Sequence, residues 1–237
     1  MQNAATPLRP SPAVQTPSVE GLAPDERFRR YMEVYERTDG WFAKQSAAIW
    51  DSFLCFHEAQ GVKGHLLEIG VHEGKSGSLL AAHKKQGEQL WGVDAWLRTE
   101  KIEAAFGSLR PMPDPSIHLL HETSYRLGVH RQLAPLQRQF RFVHIDGEHS
   151  GPAVHNDLDL AHTFLTGDGL VSVDDIFSAS YPQLTDALFR YLHQHPDRFK
   201  LVLFGFNKAY LTRPMVAHDY RTFIDRALQD ELDARGF

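Results

Sequence analysis

Five apolar runs of strand length, each followed by a stretch of helical periodicity, constrain this chain more than any other feature. "HLLEIGV" leads into "GKSGSLLAAHKKQ", "QLWGVDAW" into "RTEKIEAAFGSL", and "SIHLLHETS" into a helical stretch broken near Pro135. "FRFVHID" leads into "GPAVHNDLDLAHTFL", and "GLVSVDD" into "YPQLTDALFRYLHQHP". Strand and helix units in series build a parallel sheet with helices on both faces, because each parallel connection must cross a face of the sheet. The last two runs, within "FKLVLFGFNKAYLT", are joined by a tight turn at Phe206–Asn207 and imply one antiparallel edge strand. The expected fold is α/β, doubly wound, with a mostly parallel seven-stranded sheet.

The rest of the chain fits around that sheet. Residues 1–24 hold five prolines and almost no large apolar side chains, so they read as a flexible tail. Residues 25–60 carry apolar positions at three- and four-residue spacing on both sides of Gly40, the mark of two extra N-terminal helices. Residues 61–237 form the core of a single domain. A net charge of −5 gives no footprint for nucleic acid or an anionic membrane. With one cysteine, Cys55, and no apolar run of membrane-spanning length, the expectation is a cytoplasmic protein.

In a doubly wound sheet, ligands bind beyond the strand C-termini, so the residues just after each strand carry the information. "LLEIGVHEGKS" runs from a strand through Glu68, Gly70 and Gly74 into a helix near Ser76. Glycines allow a sharp turn and a close approach of ligand to backbone, and the helix start offers free N–H groups. The spacing is not that of the GxGxxG dinucleotide fingerprint. The next strand ends at Asp94, where a carboxylate could accept both hydroxyls of a ribose or, alternatively, cap the following helix.

The fourth strand ends at Asp146 and the fifth at Asp174–Asp175. The helix between them makes a crossover unit, which brings both strand ends to one edge of the sheet. Converging carboxylates repel unless a proton or cation neutralises them, and an all-oxygen set suits Mg2+, with Mn2+ or Ca2+ as alternatives. The other reading is helix capping or turn formation by these aspartates. His149, three residues after Asp146, has a near-neutral pKa suited to a general base, or it merely orients a loop. Asn207 and Lys208 sit at the hairpin turn and read as a plain turn more readily than as a substrate rim. His155 and His162, seven apart on one helix, read as exposed rather than as a zinc site.

"LLEIGVHEGKS" with "GVDAW" resembles motif one and the strand-two acid of class I S-adenosylmethionine-dependent methyltransferases, over residues of about 40 to 212. The resemblance implies a Rossmann-like core. It also implies that the Gly70–Gly74 loop lies against the methionine part of the cofactor and that Asp94 binds its ribose. Glu68 would lie beneath the loop, near the methionine end or holding loop amides. Ser124 in "HETS" falls where that superfamily contacts adenine, and Ser76 and Asp146 complete the expected cofactor contacts. "VHIDGEHS" with "GLVSVDDI" is similar to the metal-dependent O-methyltransferases of methyltransferase family 24, which include macrolide-sugar O-methyltransferases. There Asp146, Asp174 and Asp175 match magnesium ligands, and His149 matches the proposed base.

The implied activity is Mg2+-dependent methylation of a hydroxyl on a small molecule, with a sugar or other vicinal diol favoured over a catechol. Relatives of this type often form homo-oligomers. Three alternatives remain: a metal-independent methyltransferase, a nicotinamide-dependent oxidoreductase, and a non-catalytic cofactor-binding subunit of a biosynthetic complex.

Overall fold

The computed structural model describes residues 18–237. Of the expected tail, residues 1–17 lie outside the described residues. Val19 is already buried, and its N–H donates to the Leu109 carbonyl at 2.9 Å, so the packed body begins before residue 24. The two N-terminal helices are α1 (Pro24–Tyr35) and α2 (Lys44–Ala59).

The alternating core follows as β1 (His65–Ile69), α3 (Lys75–His83), β2 (Leu90–Asp94), α4 (Thr99–Gly107) and β3 (Ile117–His121). After two short 3-10 turns come β4 (Phe140–Ile145), α5 (Gly151–Phe164), β5 (Leu165–Val173) and α6 (Pro182–Gln194). β6 (Lys200–Gly205) and β7 (Lys208–Thr212) form the closing hairpin, and α7 (Ala217–Phe223) runs through a π turn into α8 (Gln229–Ala234). Among the described residues, no helix is long and apolar enough to cross a membrane.

The sheet has the order β3-β2-β1-β4-β5-β7-β6. Six strands run parallel and β7 alone is antiparallel, pairing with β5 and β6. It lies at the expected end of the sheet but one place in from the edge, which β6 occupies. The helix expected to run through Leu165 stops at Phe164. Leu165 pairs with Phe140, and the register then jumps to Phe142↔Leu170 across a bulge.

Period-two alternation along the strands divides the apolar residues between two cores. Leu66, Leu90, Phe142 and Leu170 pack with α1 to α4. Leu67, Val93, Val143, Ile145 and Val171 pack under α5 and α6. Because each central strand is buried on both faces, only its C-terminal end can present polar groups to a ligand. The order in which strands join the sheet reverses between β1 and β4, the position at which sheets of this kind bind ligands.

Candidate active site

Gly70 and Gly74 have left-handed backbones, with φ of +88° and +86°. At Gly70 the turn is also sterically exclusive, because a Cβ would lie 1.8 Å from the carbonyl oxygen of Asp146. The first loop and the end of β4 are therefore in direct contact, joined further by the Asp146 N–H donating to the Ile69 carbonyl at 2.8 Å. Gly74 starts α3 with no side-chain cap, which leaves the helix's first amides without a side-chain acceptor.

Asp94 anchors the loop. Its Oδ2 accepts the N–H groups of Val71 (2.9 Å) and His72 (2.8 Å), and its Oδ1 accepts that of Trp96 (2.7 Å). A carboxylate offers about four lone-pair positions, so Asp94 keeps room for a further donor. It acts first as the anchor of the loop. Glu68 lies buried beneath, as expected, but holds no loop amide. Its Oε1 accepts Ser76 Oγ at 2.6 Å and faces His144 Nδ1 at 3.0 Å. Ser124 is buried and turned toward α5, with Asn156 Nδ2 at 3.4 Å.

The three aspartates converge. Ligand atoms of Asp146, His149 and Asp175 lie within 4.8 Å of one another, as do those of His144, Asp146 and Asp174. His149 Nε2 is 3.2 Å from Asp175 Oδ2 and 3.7 Å from Asp146 Oδ1. Its ring packs on Tyr181 with centroids 4.2 Å apart. The Asp146 carboxylate, with those of Asp175 and Asp174 in support, raises the His149 pKa against the effect of burial. Burial and the charge of Asp174 together push Asp146 up as well.

Asp174 shows the opposite shift. Burial would raise it, but the Lys208 ammonium in contact with Oδ2, helped by His144, holds it well below the usual carboxylate range. Of the three aspartates expected to meet an external cation, Asp174 therefore has a cation of the protein beside it. Asp175 takes a left-handed backbone (φ +58°), which directs its side chain back toward His149. Its Oδ1 accepts Asn207 Nδ2 at 2.6 Å, while Asn207 Oδ1 accepts the Phe177 N–H at 2.9 Å. Asn207 and Lys208 are thus not a plain turn; both reach the acidic edge.

Sequence reasoning also missed His144, which is fully buried between Glu68 and Asp174. A signal was present. His144 precedes Asp146 by two, as Ser172 precedes Asp174 and Glu68 precedes Gly70, and period two puts each on the same face as the strand-end residue. The register then aligns Glu68, His144, Ser172 and Tyr210 in one row across β1, β4, β5 and β7. Trp50 of α2 closes that row with Nε1 donating to Ser172 Oγ at 3.1 Å. Asp157, also missed, is buried beside Gly147 and Ser124, and its burial pushes its pKa up to about 6. His155 and His162 stay apart, one bonded to the Ala187 carbonyl and the other to Arg213.

The donor set bears on a metal directly. Asp146 and Asp175 are oxygen donors, partly open to solvent and short of positive charge, which fits a hard divalent ion that keeps water and admits a substrate oxygen. Asp174 lies beside them, paired with Lys208.

Residues 67–176 match the model of methyltransferase family 24, described as a methyltransferase domain. No curated protein matches the sequence. Among solved structures, the O-methyltransferase NovP is similar at a TM-score of 0.58 and 16% identity, over 71% of this chain and 80% of that one. CalS11, a TDP-rhamnose 3'-O-methyltransferase of calicheamicin biosynthesis, gives 0.52 and 16%, over 79% and 93%. MycE, a methyltransferase of the mycinamycin pathway solved with Mg and SAH, gives 0.55 and 16%, over 80% and 54%. At these identities the structural likeness is one of fold.

Proposed function

Because the chain carries a class I S-adenosylmethionine-dependent methyltransferase domain of family 24 over residues 67–176, we propose that it is a Mg2+-dependent O-methyltransferase. Its acceptor is a hydroxyl of a small molecule, best a vicinal diol on a sugar or natural product. The observation that carries this reading is the contact of Gly70 with the Asp146 backbone. It puts a loop suited to a methyl donor directly beside a cluster suited to a hydroxyl and a hard cation.

When bound, S-adenosylmethionine supplies a methyl group activated by its sulfonium, and a divalent ion lowers the pKa of a neighbouring hydroxyl. The chain's own residues would do the rest. The Gly70–Gly74 loop and the first amides of α3 face the donor, with Asp94 fixing the loop from one side and Glu68 with Ser76 supporting it from below. Ser124 and Asp157 border the adenine end. Asp146 and Asp175 would hold the ion and, through it, orient the acceptor. His149 Nε2 would take the hydroxyl proton, and the carboxylates beside it would stabilise the imidazolium that results. Orientation contributes much of the rate, since an in-line methyl transfer needs little else once the oxygen is aligned and deprotonated.

Exposed aromatics border the same strand ends. Trp41 (89% exposed) packs on the His72 ring, and Trp96 (83% exposed) follows Asp94. Phe177 and Phe206 follow β5 and β6. Such faces suit the apolar side of a sugar ring or a polyketide-like body. Occupancy of Asp174 by Lys208 favours a second reading, in which the acids orient the acceptor without a metal.

Calorimetry with S-adenosylmethionine and turnover of a diol acceptor panel before and after EDTA treatment test the proposal. Cofactor binding with EDTA-sensitive turnover, restored by Mg2+, is the expected result. Full turnover after exhaustive chelation would transfer the conclusion to the metal-independent reading, and absence of cofactor binding would end both.

A further inference from the structure

The acidic edge has a cation of its own, supplied by the last strand to join the sheet. Lys208 opens β7, opposite Gly205, after the turn Phe206–Asn207, in which both residues are left-handed (φ +50° and +66°). That turn directs Lys208 inward. Only 2% of the residue is exposed, and its ammonium contacts Asp174 Oδ2. The ring centroids of Phe42 and Trp50 stand 5.1 and 5.8 Å from Nζ, a distance at which aromatic faces stabilise a cation.

Asp174 is held from its other sides as well. Its Oδ1 accepts the Asp175 N–H at 2.8 Å, and His144 Nε2 lies 3.9 Å from Oδ2. Each oxygen thus has one hydrogen-bond partner within the protein. The side chains of Asp146 and Asp175 remain 29% and 21% exposed and face His149.

We propose that Lys208 is a positioning residue that keeps Asp174 as an inner anion, leaves Asp146 and Asp175 as the carboxylates that meet a divalent ion, and sets how tightly that ion is held. This rests on reading the cluster as a cation seat. A fixed positive charge a few ångströms from a divalent ion weakens its binding by about tenfold or more at the dielectric of a half-buried site. Weak binding leaves the ion exchangeable and its remaining positions open to acceptor oxygens and water.

The test is Mn2+ binding by electron paramagnetic resonance titration, with S-adenosylhomocysteine binding measured on the same samples. The proteins are wild type, Lys208→Arg, Lys208→Met and the double variant Lys208→Met/Asp174→Asn. Lys208→Met should bind Mn2+ about tenfold more tightly or better. Lys208→Arg keeps the charge and should stay within about threefold of wild type. The double variant removes two opposite charges together, so it should fold even if Lys208→Met does not, and it too should stay within about threefold of wild type.

Equal or weaker binding by Lys208→Met, loss of Mn2+ by the double variant, or no Mn2+ binding by any protein overturns the proposal. So does binding unaltered by Asp146→Asn, which would locate the ion elsewhere. S-adenosylhomocysteine binding retained in those cases would confine the failure to the cation seat, whereas its absence from wild type would count against the methyltransferase reading.

Discussion

Two clusters among the described residues bring acids, histidine and a potential metal ligand within reach of one another, and they differ in charge balance. The first is the acidic edge, where Asp146, Asp174 and Asp175 face a single ammonium, Lys208. The second lies between α1, α2, α3 and α8, where Asp51, Cys55 and His83 also approach within 4.8 Å. There Asp51 bonds His83 at 2.6 Å and Arg235 at 2.7 Å, and Glu58 bonds His83 and Arg27. Two guanidinium groups answer two carboxylates. The Cys55 thiol is pushed up to about 12, by burial first and then by Asp51, so its proton is held tightly. Proximity of ligand atoms is therefore a poor criterion for a site. Uncompensated charge open to solvent sets the acidic edge apart, and compensated buried charge makes the other cluster a clamp for the C-terminal helix.

The comparison can be broken most forcefully at the two histidines. His149→Ala is expected to lower turnover about 10²–10⁴-fold, the usual worth of a general base, with cofactor affinity preserved in calorimetry. His83→Ala should leave the chemistry of the surviving folded enzyme intact, and a comparable loss of specific activity there would erase the distinction. Asp51→Ala strands buried partners and should reduce stability by about 3–5 kcal/mol, read from chemical denaturation. Asp175→Asn, at an open site with excess negative charge, should shift stability by less than about 1 kcal/mol.

The smallest effect is in pH. Against burial, His83 and Arg27 hold Glu58 down from 4.5 to about 2. Its folded value is depressed, so its contribution is fully present above the unfolded value and disappears as pH falls from about 4.5 toward 2. Thermal melts across that interval should show a steeper fall for wild type than for Arg27→Met, and parallel curves would mean that the clamp carries no linkage.

Much of the acidic edge was legible in the chain before any coordinates. Gly70, Asp94, Asp146 and Asp174–Asp175 each follow an apolar run, and a parallel sheet brings such ends together. Ser150 caps α5 by accepting the Ala153 N–H, and Pro152 occupies its first turn. What escaped was the answer to the charge problem those acids pose. Lys208 belongs to a hairpin whose register and inward turn depend on β7 inserting between β5 and β6. The anchoring of the loop by Asp94 escaped too, because its position along the chain reveals nothing about the amides that fold over it. His144 was hidden among apolar neighbours, although its two-residue offset from Asp146 pointed to the same face.

Periodicity and strand-end chemistry are local properties of the chain, so the sequence by itself determined the doubly wound sheet, the donor loop and the convergence of three aspartates. Only the tertiary structure decided which of those aspartates is still free, because ion pairing in a buried site depends on charges that arrive from remote segments. A buried carboxylate must find a partner or lose its charge, and the partner here comes from a strand 34 residues further along.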